Sequence, residues 1–460
     1  MNDGIVREQL YQRYIEPTKK KRQDYVGIEI EMPIVNLDKQ PVDFSVVHTV
    51  TDRFIRHFAF EPAGIDDEGN IYSAANQETG DILSYDCSYN NLELSLGRRK
   101  DLHAIRQCFR GYYEFLQKEF GAYHYTLTGM GVNPHRTINR NVPIPNGRYR
   151  MLFHHLNSYK NYTVPMFFHS YPEYGTFSSA SQVQLDVDYD DLLTTLSVFS
   201  KVEPIKALLF SNSVLLGEHE ELLCCRDMFW ENSTHGINPH NVGMFECSFD
   251  SIDELMSYIE STSIYCVERG DKYINFPPVN IMEYFRQASV TGEYFADGAY
   301  HSIEVTPQID DIQYLRTFKF EDLTFRGTVE FRSVCCQPIA DCMTVAAFHV
   351  GLKNRLHDLD QIFENDHVIY HHGYTPSELR KMFNNRALPS FVDEDELYAF
   401  AKRIVDLASD GLSARGYGEE SLLAPLYDRL EQRTNPARKM LTLREQGTPL
   451  EEIILQYGAI

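Results

Sequence analysis

Asp24-Tyr25-Val26-Gly27-Ile28-Glu29-Ile30-Glu31-Met32-Pro33 is the stretch from which the fold is read. Its alternation is strict, with Val26, Ile28, Ile30 and Met32 on one side and Gly27, Glu29 and Glu31 on the other. Side chains of a strand point alternately to its two faces, so both carboxylates leave the same face about 7 Å apart. At an effective dielectric of about 20, two full charges at that separation repel by roughly 2 kcal/mol. A solvated edge strand tolerates that repulsion, whereas a recessed one needs a cation or a proton.

The same one-sided polarity recurs along the chain. Asn91-Leu92-Glu93-Leu94-Ser95-Leu96 shows Glu93 and Ser95 on its polar face. Gln182 to Asp188 sets Gln182, Gln184 and Asp186 against Val183, Leu185 and Val187. Gly327 to Ser333 sets Thr328, Glu330 and Arg332 against Val329 and Phe331. Strands are therefore predicted near 25–33, 91–96, 182–188 and 327–333, with another over Tyr125–Val132. If they share a mostly antiparallel sheet, its apolar face packs on helices and its polar face collects the carboxylates.

Helices are predicted over Val6–Ile15, residues 44–58, Asp101 to about Phe120, and Arg148 to Leu156. Others span 190–216 with a break at Pro204, and follow the capping pair Ser251 and Glu254. Asp66-Asp67-Glu68-Gly69-Asn70 reads as a turn, since calcium-loop ligand spacing is absent. Long loops fill much of 133–176. From Ile339 the pattern is helix after helix, with starts at Thr375-Pro376-Ser377-Glu378, Asp393 and Thr448-Pro449-Leu450-Glu451. Without repeats or a clear linker, 1–460 is expected to be a single catalytic domain of α+β class. Its sheet-containing core runs over about 20–338 and a helical C-terminal part over about 339–460.

Sixty-six acidic against 43 basic residues give a formal charge of −23, a surface that repels nucleic acid and anionic membrane. No apolar run approaches the roughly 18–20 residues of a spanning helix, and Met1-Asn2-Asp3-Gly4 is too polar for a signal peptide. The nine cysteines include the adjacent pairs Cys224-Cys225 and Cys335-Cys336 but no C-x-x-C. Reduced thiols and a cytoplasmic location are expected. His154-His155 and His371-His372 are read as surface or helix-packing residues.

Carboxylates at the density of Glu29, Glu31, Glu93 and Glu330 suit a hard divalent cation such as Mg²⁺, which is commonly shared with substrate phosphates. Arg332 lies two residues from Glu330 on the same face and could reach a transferring phosphoryl group. There is no G-x-x-x-x-G-K-[ST] loop, so metal and Arg or Lys would hold the phosphates. No nucleophile with a base partner is evident, and none is needed if a substrate carboxylate itself attacks ATP.

An ordered set of motifs resembles the glutamate–cysteine ligases, in their plant-type and proteobacterial branch. The set is Tyr25-Val26-Gly27-Ile28-Glu29-Ile30-Glu31, Asn91-Leu92-Glu93-Leu94-Ser95-Leu96-Gly97, Asn146-Gly147-Arg148-Tyr149, Ser181-Gln182-Val183-Gln184-Leu185-Asp186, Cys225-Arg226-Asp227-Met228-Phe229-Trp230, Asp271-Lys272-Tyr273-Ile274 and Thr328-Val329-Glu330-Phe331-Arg332. The tail Gly411-Leu412-Ser413-Ala414-Arg415-Gly416, with Glu419, Asn435 and Pro436, is similar too. The resemblance implies a half-barrel sheet related to that of glutamine synthetase. It also implies ATP- and Mg²⁺-dependent joining of glutamate to cysteine through γ-glutamyl phosphate, the first step of glutathione biosynthesis.

By matching positions, Glu29, Glu31, Glu93 and Glu330 become ligands for two or three Mg²⁺ ions, or Mn²⁺ in their place. Arg332 becomes the γ-phosphate contact, Arg148 and Arg226 clamp glutamate, and Gln182 and Gln184 line the substrate floor. Lys272 lies near nucleotide, while Tyr149 and Trp230 shape the pocket. Two departures touch the substrate region: Gln184 replaces an Asn, and Asp86-Cys87-Ser88-Tyr89-Asn90-Asn91 replaces a Glu-Pro-Gly-Gly-Gln run. They leave the acceptor amine open. A ligase for another acid or amine, and a catalytically silent nucleotide- or amino-acid-binding relative, are the competing readings.

Overall fold

The alternating stretches fold as β1 (Val26–Asn36), β2 (Glu61–Ile65), β3 (Ile71–Ala75), β4 (Ile82–Ser84), β5 (Asn91–Arg99), β6 (Tyr125–Leu127) and β7 (Ser181–Asp186). They are followed by β8 (Val242–Gly243), β9 (Ser263–Arg269), β10 (Lys272–Asn280), β11 (Val290–Ala296), β12 (Ala299–Val305), β13 (Phe318–Lys319), β14 (Glu321–Leu323) and β15 (Thr328–Phe331). These ranges come from a computed structural model that describes residues 1–246 and 248–460. The main sheet has the order β14-β15-β7-β1-β5-β4-β3-β2, with β6 paired to the far end of β1. All its pairings are antiparallel, and its two ends do not meet, so it stays open as expected for a half-barrel. The α+β class therefore holds.

Strand β1 is the axis because it pairs with β7 on one side and β5 on the other. Its Val26, Ile28, Ile30 and Met32 are all buried. Each such side chain contributes about 1.5–3 kcal/mol when removed from water. The helix Cys342–Lys353 packs over β1 and β7, and the helix Glu394–Arg415 packs over it in turn. Their backbones nearly touch: a Cβ on Gly411 would lie 1.9 Å from the carbonyl oxygen of Gly351, and one on Gly351 would lie 2.1 Å from that of Ala408. Only glycine permits so close a crossing, which presses the helical layer onto the sheet. Helices Phe44–Phe58 and Leu102–Gly121 pack together at the β5–β6 end.

Several expectations are corrected. The helix Leu192–Phe210 runs straight through Pro204 and ends six residues early. Losing a helical hydrogen bond there costs about 3 kcal/mol. Burial of Phe199, Val202, Ile205, Leu208 and Leu209 around the proline outweighs it. The strand expected to reach Val132 stops at Leu127, because the next residues turn to the C-terminal helix: Thr128 Oγ1 donates to the Ile454 carbonyl at 2.9 Å, and the Gly129 N–H to that of Tyr457 at 3.1 Å. A second sheet of order β12-β11-β10-β9 has no counterpart in the sequence reading. Asp66 behaves as a turn residue, its carboxylate accepting from the N–H groups of Glu68 and Asn70. From Ile339 on, the described elements are all helical.

Candidate active site

Register places the acids. Glu31 stands opposite Glu93 in the β1–β5 pair, and Glu29 opposite Gln182 of β7 and Ser95 of β5. Gln184 faces Glu330 of β15, which in turn faces Asp322 of β14. The polar face thus carries a continuous row of acids and amides across five strands. Gln184 ties the row together, its Nε2 donating to Glu330 at 3.0 Å and to Glu29 at 3.3 Å. Gln182 Nε2 and the Ala180 N–H hold the two oxygens of Glu31 at 2.8 and 2.7 Å. Asp86, in the loop between β4 and β5, completes a triad: oxygens of Glu31, Asp86 and Glu93 all lie within 4.8 Å of one another.

Burial and mutual repulsion leave these carboxyls short of compensation. Burial, reinforced by Asp86 and opposed by Arg226, pushes Glu31 up to about 7. Burial together with Asp86 and Glu31 pushes Glu93 up to about 8. Glu29 is raised well above the ordinary carboxylate range by burial and by Glu330 and Glu93. Asp322 is pushed up to about 7 by burial, which Arg332 and a hydrogen bond from Thr317 only partly offset. An all-oxygen donor set that holds protons near neutrality is one that a hard divalent cation would discharge.

The row forms the floor of a cleft of about 450 Å³. One wall is the helix Gly147–Asn157, started by Asn146, whose side chain accepts from the Tyr149 N–H at 2.8 Å. It brings Arg148 to the cleft with no acid partner, and Tyr149, whose hydroxyl donates to Asp86 at 3.3 Å. The short helix Cys225–Glu231 brings Arg226 and Trp230. Arg226 is buried and donates to the carbonyls of Ser333 at 3.2 Å and Arg332 at 3.4 Å, its Nε left without a partner. Trp230 stacks on Phe318 at 4.9 Å. Arg332 pairs with Glu330 at 3.0 Å, and its N–H donates to Phe320 at 2.9 Å.

Glu31, Glu93, Glu330, Gln182, Arg148, Tyr149, Arg226, Trp230 and Arg332 therefore line one cleft, with Glu29 and Gln184 hydrogen-bonded into its floor. Lys272 is not brought there. Its neighbour Tyr273 lines the cleft, so alternation along β10 turns Lys272 away, and its ammonium sits 4.1 Å from the Tyr294 ring. Asp86, Asp322, Arg316 and Arg326 also line the cleft and were not singled out from the sequence as ligands or clamps. Loop residues carry no periodicity, and three-residue β14 is too short to show any. His155 is buried, stacked on Tyr265 at 4.1 Å, which fits a packing role. The eight described cysteines are free thiols.

The profile of the glutamate-cysteine ligase family 2 (GCS2) matches residues 25–456. The chloroplastic glutamate–cysteine ligases of Nicotiana tabacum and Arabidopsis thaliana are each 23% identical to this chain over 68% of its length. The chain spans 57% of the length of each. A glutamate–cysteine ligase from Francisella tularensis, solved in complex with AMP, superposes with a TM-score of 0.51 at 12% identity. That superposition covers 96% of this chain and 89% of the other, a likeness of fold.

Proposed function

The chain belongs to the glutamate-cysteine ligase family (GCS2), and on that premise we propose that it is an ATP-dependent ligase forming a γ-glutamyl amide, with glutamate and cysteine as its leading substrates. The product, γ-glutamylcysteine, would feed glutathione biosynthesis. The observation that carries the reading is the convergence of Glu31, Asp86 and Glu93 with the Glu330–Arg332 pair in one cleft. We read the whole chain as one catalytic unit working in the cytoplasm, consistent with its free thiols.

A carboxylate resists attack by an amine until one of its oxygens becomes a good leaving group. The γ-carboxylate oxygen of glutamate takes the terminal phosphoryl group of ATP, releasing ADP and giving γ-glutamyl phosphate. The acceptor nitrogen then attacks that carbonyl, the C–N bond forms, phosphate leaves and the nitrogen gives up a proton. Arg148 and Arg226 hold glutamate, the latter from a buried seat fixed by two carbonyls. Arg332 offers its planar fork to charge on the phosphoryl oxygens, a role a lysine fills poorly. Gln182 and Gln184 hold the floor carboxylates in place, while Tyr149 and Trp230 shape the walls. Glu29, Glu31, Glu93 and Glu330, with Asp86 added from the loop, are the oxygen donors that would hold Mg²⁺ or Mn²⁺. Such an ion supplies charge neutralisation at phosphate oxygens.

The test is ADP release with glutamate and hydroxylamine, which should yield γ-glutamyl hydroxamate. Release of AMP and pyrophosphate instead would mean adenylation and overturn this mechanism. A panel of amines in the same assay separates a cysteine-specific ligase from one using another amine, and a protein releasing no ADP with any of them would be a silent binder.

A further inference from the structure

The adjacent histidines His154 and His155 come to different uses in the helix Gly147–Asn157. His155 packs inward, whereas His154 lies with Arg150 on the face opposite Arg148, roughly 200–240° further round the helix. The split follows the cleft: Arg148, Tyr149, Met151, Leu152 and Leu156 line it, and Arg150 and His154 do not. Arg148 has neither an acid partner nor a hydrogen bond among the described residues, only the ring of its neighbour Tyr149 at 5.5 Å. Its placement therefore depends on where the backbone of this helix is held, unlike that of Arg226, which two carbonyls fix directly.

The second sheet holds it. A Cβ on Gly147 would lie 2.7 Å from the Tyr273 ring of β10, and Met151 is buried with Tyr265 and Cys266 of β9. The outer face is covered by the β11–β12 hairpin, which pairs without a slip from Val290↔Val305 to Ala296↔Ala299 around a two-residue turn. Glu293, Phe295 and Tyr300 share one face of that ribbon, Phe295 opposite Tyr300 in register. Tyr300 stacks on the His154 ring at 3.7 Å, and its hydroxyl donates to the Arg150 carbonyl at 3.3 Å. His154 Nε2 meets the Glu293 carboxylate at 2.8 Å, and the Arg150 guanidinium lies over the Phe295 ring at 4.9 Å. Strand β11 joins β10 only at Ile274↔Tyr294 and Asn275↔Glu293, so beyond them the hairpin is a two-stranded ribbon, marginally stable by itself. Its contacts go to one helix.

We infer that Glu293, Phe295 and Tyr300 are positioning residues for the glutamate site: the hairpin clasps the outer face of the helix and so fixes where Arg148 stands on its inner face. The inference rests on the ligase reading above, in which Arg148 holds glutamate, and extends that site to residues that touch no substrate. A shift of about 1 Å in a positioned group costs up to roughly a hundredfold. A clasp remote from the cleft thereby acts on glutamate and not on ATP.

The experiment measures ADP release with glutamate and hydroxylamine, alongside hydrogen exchange of the helix amides. Tyr300→Ala should raise the glutamate KM about three- to tenfold, the size of one lost ring-stacking contact, and leave kcat and the ATP KM within about twofold. Tyr300→Phe keeps the stack and should recover most of the loss, and Glu293→Gln should raise the glutamate KM by about twofold. In an Arg148→Gln background, Tyr300→Ala should add nothing to the glutamate KM, because its effect runs through that side chain. Amides of residues 147–157 should exchange faster in Tyr300→Ala, and those of 225–231 as in wild type. Additive losses in the double variant, equal rises in the KM for glutamate and ATP, or a fall in kcat at unchanged KM would make the hairpin general scaffold and overturn the inference. Unchanged exchange across 147–157 would overturn it whatever the activity. A wild type that releases no ADP with glutamate and hydroxylamine overturns the ligase reading instead, and the exchange comparison still decides whether the clasp holds the helix. Tyr300 is 38% exposed, so its variants should melt close to wild type.

Discussion

Two groups of buried carboxyls flank the β7–β15 region, and Glu203 in one behaves oppositely to Glu31 and Glu93 in the other. In one, Glu203 and Asp227 meet Lys206 and Arg380, while Glu321 beside Glu203 is raised well above the ordinary carboxylate range by burial and by Glu203. Arg380 donates to Glu203 at 2.6 Å and to Asp227 at 2.7 and 3.0 Å, and Ser333 Oγ adds a bond to Glu203 at 3.0 Å. Burial alone would raise Glu203, but Lys206 and Arg380 bring it down to about 2. On the cleft floor burial is similar in kind, the cations are fewer, and Glu31 and Glu93 rise to about 7 and 8. The difference is one of partners and not of burial. A carboxylate whose cations outweigh its burial serves as scaffold, as Glu203 does with Lys206 and Arg380. A row left incomplete is where an outside cation belongs.

The largest effect that would sharpen this contrast is on stability. Arg380→Met leaves Glu203 and Asp227 buried without their shared partner and should cost about 3–5 kcal/mol in urea denaturation. A variant as stable as wild type would show that the network is not scaffold. On the cleft floor, Arg332→Lys should lower kcat at least about a hundredfold with little change in the glutamate KM. Recovery of most turnover at high Mg²⁺ would reduce Arg332 to a positioning partner of Glu330. Glu31→Gln should lower turnover by at least about tenfold. It should also stabilise the metal-free protein at pH 8 by on the order of 1 kcal/mol, because it removes an uncompensated charge.

The pH profile separates the two regions with opposite signs. The raised floor acids bind more protons folded than unfolded between their ordinary range and about 8, so their contribution to metal-free stability falls as pH rises through that window. Arg226 and Arg332 are cations that face this row. Glu203, held at about 2, contributes stability above its unfolded value that is lost as pH falls towards 2. Melting temperature without divalent ions should therefore decline between about pH 5 and pH 8 and, separately, below about pH 4, and Mg²⁺ should lift only the limb between pH 5 and 8. A melting temperature that is flat between pH 5 and 8 would remove the contrast.

Where a strand keeps one face wet and one dry, its residues announce both fold and site, as β1, β5, β7 and β15 do. Glu29, Glu93 and Glu330 were legible because alternation alone puts them on one face. The second sheet was not, since Pro277-Pro278 interrupts β10 and the β11–β12 hairpin is largely exposed on both faces. Pro204 misled because burial around it outweighs its local cost. Asp86 and Arg316 reach the cleft through tertiary placement, which no spacing encodes, and Lys272 lies one residue out of phase with the cleft-facing side of its strand.

The central claim is that the floor carboxyls await a divalent cation and hold protons in its place. It is tested most directly by calorimetric titration of Mg²⁺ into the metal-free protein near pH 7, in two buffers of different ionisation enthalpy. The account predicts binding accompanied by release of about one or two protons, with both binding and release reduced in Glu31→Gln and Glu93→Gln. Binding with the same heat in both buffers, or binding unaffected by either substitution, would contradict it.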